Sequence, residues 1–167
     1  MHVTTPAVNT IPSIVHRLQP LVNAALRIGI PMGPNVLMTI RGRKSGLPRT
    51  VAVAILRADG RDVVFSPFGE VAWVHNLRAA GTAEIRHGRR RRTVVAREVP
   101  PAEAAPHLEA GLRSILRVPG LGSTIAGWYG ITKASTAEDY LAAAHRHPGF
   151  ELRERAGQAP SRVAGSA

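Results

Sequence analysis

TIRGRKSGLPRT, residues Thr39–Thr50, lies between two segments of strand character, VLMTIR (Val36–Arg41) and TVAVAIL (Thr50–Leu56). Both are rich in β-branched and small apolar residues, which fit a pleated, half-buried surface. The connection between them carries Arg41, Arg43, Lys44 and Arg49 around Gly42, Ser45, Gly46 and Pro48, with no acidic residue. Two glycines allow positive φ, so the backbone can turn sharply and aim successive N–H groups inward. Arginine and lysine add charge-assisted donors, and the guanidinium fork matches phosphate oxygens. The segment is therefore either a phosphate cradle or a solvated basic turn, and its chemistry alone leaves both open. It is not a Walker motif, because the G-x-x-x-x-G-K-[ST] spacing is absent and no strand-to-helix transition follows.

Working outward, Asp59-Gly60 predicts a tight hairpin turn leading into a strand over Asp62–Ser66. PFGE is a loop, and Val71–Ala80 predicts a short helix ended by Gly81. Ala83–His87 and Arg90–Val99 form a second hairpin around Gly88. Pro100-Pro101 opens a helix over Ala102–Val118, and GLGSTIAGWYGI reads as a glycine-rich loop. Ser135 is placed to cap a helix running to His147, with Glu138 in the capping-box position, and Phe150–Arg153 reads as a last strand. Upstream, Ile14–Ile30 has apolar residues at helical spacing with Pro20 as a kink. The expected organisation is an N-terminal helical segment over 1–32, one domain over 33–153, and an unstructured tail over 154–167. Strands in hairpins with few helices argue an α+β domain or small β-barrel of about six strands.

Composition narrows the partners. Lys and Arg number 22 against 11 Asp and Glu, a formal net charge of +11. That surplus calls for an anionic partner: nucleic acid, phospholipid headgroups or a phosphorylated small molecule. The chain has no cysteine, which excludes disulfides, thiolate metal sites and a cysteine nucleophile and fits a reducing cytoplasm. No apolar run reaches the length of a membrane span, and no secretory signal is recognisable.

GRKSGLPRT (Gly42–Thr50), followed by VVFSPFGEVAWVHNLRAAGTAEIRHG (Val63–Gly88), resembles the deazaflavin-dependent nitroreductase family. The resemblance rests on G-R-K-[ST]-G-x-P-R, a strand pair, Ser66-x-x-Gly69, then Trp73-x-x-Asn76-Leu77. The ending AAAHRHPGFEL, an Ala-rich helix, His-Pro and a short strand, is similar as well, so the likeness covers most of residues 33–152. It implies a split β-barrel and a reductase using coenzyme F-420, an 8-hydroxy-5-deazaflavin with a phosphate and an oligoglutamate tail. The implied acceptors are quinones, nitroaromatics and other activated alkenes or aromatics. It implies further that Arg41, Gly42, Arg43, Lys44, Ser45, Gly46, Pro48 and Arg49 hold the phosphate and tail. Ser66, Gly69 and Trp73 would border the deazaflavin ring. Relatives often have a longer insert before the Trp and a Lys near the Ser; here the loop is short and Pro67 follows Ser66.

A deazaflavin carries the hydride itself, so the protein need only bind, orient and supply electrostatics. The residue inventory agrees: there is no H-E-x-x-H, no Ser-His-Asp set with motif context and no suggestive carboxylate pair. Alternatives are a flavin mononucleotide (FMN) reductase on the same fold, a non-catalytic cofactor carrier, or a basic binding module. Tyr129 is a candidate proton donor or acceptor-site wall, set against an ordinary core tyrosine. His75 lies within the Trp73–Leu77 motif, either beside the ring or packed at the surface. HGRRRR (His87–Arg92) reads as a solvated hairpin tip beside the cofactor tail; scarce aromatics argue against nucleic acid. His145 and His147 read as helix C-terminal cations, with no third ligand for a metal. Peripheral membrane contact through residues 14–30 is set against a helix that covers the barrel. The expected state is a monomer or homodimer.

Overall fold

The computed structural model describes residues 35–155 and 161–162. The expected N-terminal helix over Ile14–Ile30 lies outside the described residues. The strands are β1 (Asn35–Arg41), β2 (Pro48–Ala58), β3 (Arg61–Phe65), β4 (Thr82–His87), β5 (Arg90–Val99), β6 (Gly149–Glu154) and β7 (Ser161–Arg162). The helices are α1 (Ala72–Ala80), α2 (Pro101–Ile115), α3 (Leu121–Trp128) and α4 (Ala137–Arg146). Strand order is β4-β1-β2-β3-β6-β5-β7, and an additional β4–β5 pairing joins the ends of the six-strand order. This is the split β-barrel of the expected α+β class, six antiparallel strands with flanking helices. The short β7 pairs with β5 at Arg90 and Arg91, so a strand falls within the segment expected to be unstructured.

The chain divides into two compact units. One comprises Leu56–Val71 and Glu98–Glu151; the other comprises residues 35–55, Ala72–Arg97, 152–155 and 161–162. In the first, Leu56, Val63 and Phe65 share a core with Leu108 and Leu112 of α2 and with Tyr140, Ala143 and Ala144 of α4. The Asp59-Gly60 turn forms as expected, with φ of 51° and 73°, the pair of left-handed residues that a two-residue hairpin requires. In the second unit, Leu37, Met38 and Ile40 of β1, Val74 and Leu77 of α1, and Ile85 of β4 are all buried. Helix α1 lies against β1 and β4.

Three local expectations are corrected. GLGSTIAGWYGI is not a loop: Leu121–Trp128 is helical, starting after Gly120 at φ 71°. Gly122 serves packing, since a Cβ there would lie 2.9 Å from the Ile115 carbonyl carbon and 3.1 Å from Leu116 Cα. The cap of α4 is one residue later than expected. Thr136 is the N-cap, and its N–H donates to Asp139 Oδ2 at 2.8 Å. The Ser135 hydroxyl instead accepts from the Thr132 N–H at 3.0 Å. The third concerns the HGRRRR tip. In the second unit Leu37 pairs with Arg86, whereas Arg41 lies at the other end of β1. Six strand steps separate Arg41 from the tip at Gly88, about 20 Å at ~3.3 Å per residue. The tip is therefore not beside the Arg41–Arg49 loop.

Candidate functional site

Register builds the basic loop. β1 and β2 pair from Asn35↔Ala54 to Arg41↔Pro48, so Pro48 and Arg49 belong to the strand and Gly42 to Leu47 make the turn. The Thr39 and Thr50 hydroxyls bond at 2.8 Å beneath it. The Gly42 N–H donates to the Leu47 carbonyl at 2.8 Å, and the Gly46 N–H donates to the Gly42 carbonyl at 2.8 Å. Gly46 needs its missing side chain, because its φ is 68°. The Leu47 N–H donates to Ser45 Oγ at 3.3 Å. Most backbone donors of the loop are thus spent within the protein, contrary to the expectation of N–H groups aimed at a ligand. Among the described residues, Lys44 and Ser45 keep uncommitted N–H groups.

The cations divide into two sorts. Arg43 is tied down: its backbone N–H donates to Asn76 Oδ1 at 3.2 Å and its Nη1 donates to the same oxygen at 3.0 Å. Its Nη1 also reaches the Ala72 carbonyl at 3.5 Å, at the start of α1. Arg41, Lys44 and Arg49 are exposed and have no carboxylate partner among the described residues. Arg41 folds over the turn, with Nη2 placed 3.5 Å from where a Gly46 Cβ would stand. Asn76 is the functional residue that the residue reading left without a role. Its signal was there: a polar side chain on the buried face of α1, one helical turn after Trp73. Trp73 and His75 are half-buried on the same helix.

The other expected residues lie in the first unit. Ser66 is fully buried, and its hydroxyl donates to the Gly69 carbonyl at 2.7 Å. The Gly69 N–H returns a bond to the Ser66 carbonyl at 3.3 Å, with Gly69 at φ 70°. Ser66 and Gly69 thus build a tight turn, and the serine hydroxyl is already committed. The 147–148 segment clamps that turn: the Ser66 N–H donates to the Pro148 carbonyl at 3.0 Å, and His147 Nδ1 donates to the Ser66 carbonyl at 3.0 Å. A carbonyl only accepts, so the Nδ1 of His147 carries the ring proton. His147 is therefore not the exposed helix-end cation expected of it. Burial lowers its pKa, against the opposing pull of the Ser66 hydrogen bond, and favours the neutral ring. Tyr129 packs edge-on against His147, with ring centroids 4.9 Å apart. It is 7% exposed, and burial pushes its phenol well above the usual tyrosine range, the direction that makes it a weaker acid. No group of three metal-ligating side chains occurs among the described residues.

Residues 15–115, more than half of the 167, match the protein family described as F420H(2)-dependent quinone reductase. The chain belongs to that family. This F-420-dependent quinone reductase family member is accordingly an oxidoreductase, and its cofactor is coenzyme F-420. One solved structure agrees on the fold. A protein described as a domain-swapped dimer is 18% identical over 86% of this chain and 100% of its own, with a TM-score of 0.52. A structure described as an F420-H2 Dependent Reductase (FDR-A) is 20% identical over 72% of this chain and 94% of its own, with a TM-score of 0.49. Comparison with curated proteins finds no match.

The donor set fits the cofactor. A phosphate and a glutamate tail are anionic, and Arg41, Lys44 and Arg49 offer cations that no carboxylate among the described residues neutralises. Arg43 and Asn76 hold the loop in shape beneath them.

Proposed function

We propose that this reductase binds the phosphate and tail of reduced F-420 on the Arg41–Arg49 loop and reduces a quinone, with nitroaromatics and other activated acceptors as further substrates. When bound, F-420 supplies the hydride. The protein's part is placement. Arg41, Lys44 and Arg49 meet the anionic end, and Asn76 fixes Arg43 so that the loop is ordered before binding. Trp73, in the same unit as the loop, is assigned to the edge of the deazaflavin. Tyr129 receives no support as a proton donor, because its phenol is buried and holds its proton. We place the activity in the cytoplasm. The observation that carries the reading is the split among the cations, one arginine pinned internally and three cationic side chains without a carboxylate partner among the described residues.

Turnover tests it. Reduced F-420 is mixed with the protein and a panel of quinones and nitroaromatics, and recovery of F-420 fluorescence is followed. Oxidation that depends on both protein and quinone is expected, with no turnover when NADPH replaces reduced F-420. If no acceptor in the panel is reduced, or NADPH serves instead, the reading fails.

A further inference from the structure

We draw no further inference here: the strongest candidate, the side-chain cluster of Tyr129 and His147 beside the Ser66 turn, whose rings meet at 4.9 Å and whose Tyr129 Oη and His147 Nε2 have no partner among the described residues, carries none, because nothing in the structure shows what those two atoms would hold.

Discussion

Asn76→Leu removes the acceptor shared by the Arg43 backbone N–H and Nη1, leaves the longer contact to the Ala72 carbonyl, and keeps the side chain's approximate volume. Two hydrogen bonds are lost, the Arg43 backbone N–H at 3.2 Å and its Nη1 at 3.0 Å. A bond from a charged donor contributes about 1.5–3 kcal/mol and a neutral one about 0.5–1.5 kcal/mol. Both are only partly buried, so water recovers part of each, and about 2 kcal/mol together is the working figure. If the loop must be ordered to bind, that cost appears in the F-420 dissociation constant as a rise of about thirtyfold. Fluorescence titration with F-420 reads it, and thermal melting run alongside separates a loop effect from unfolding. Asn76→Asp sharpens the test. Its carboxylate still accepts from Arg43, so the melting temperature should hold, but the added charge beside the anion site should weaken binding, most at low salt. A leucine variant that binds F-420 with an unchanged constant refutes the role given to Asn76.

Three further outcomes are expected. Arg49→Ala should cost roughly 1.5–3 kcal/mol of F-420 affinity, and an unaltered titration would remove Arg49 from the site. Burial sets the folded-state pKa of His147 below its unfolded value, so the unfolded chain takes up the proton first as pH falls. Stability is then complete above the unfolded pKa of about 6.5 and declines below it; His147→Asn, which keeps a donor for Ser66, should flatten this acid limb in urea titrations at neutral and acid pH. Gly122→Ala puts a Cβ against the Ile115 carbonyl backbone, which has no rotamer to yield, so a loss of about 1–3 kcal/mol in urea denaturation is expected and a neutral result would contradict the α2–α3 packing.

The hairpins were legible in sequence because their signals are local. Asp59-Gly60 and Gly88 mark turns by backbone chemistry, and the flanking β-branched residues mark strands. Helix α3 was not legible, because glycine at 122 and 127 argues against a helix until Gly122 is seen seated on the Ile115 backbone. The basic loop was legible as a charge cluster, but its division of labour was not. Which cation is pinned and which are uncommitted depends on Asn76, brought to Arg43 from α1 by tertiary packing. Ser66 shows the same limit. Its place in the motif was readable, whereas its full burial and the clamp by His147 and Pro148 join residues far apart in the chain.

The central claim is that the loop recognises the anionic end of the cofactor. Titrating the protein side by side with F-420, with its deazaflavin core lacking phosphate and tail, and with FMN tests this most directly. The account predicts that F-420 binds tightest, that the core alone loses about a hundredfold or more of affinity through the missing charge-assisted bonds, and that this gap narrows with salt and in Arg49→Ala. Equal affinity for F-420 and the bare core, or tighter binding of FMN, would contradict it.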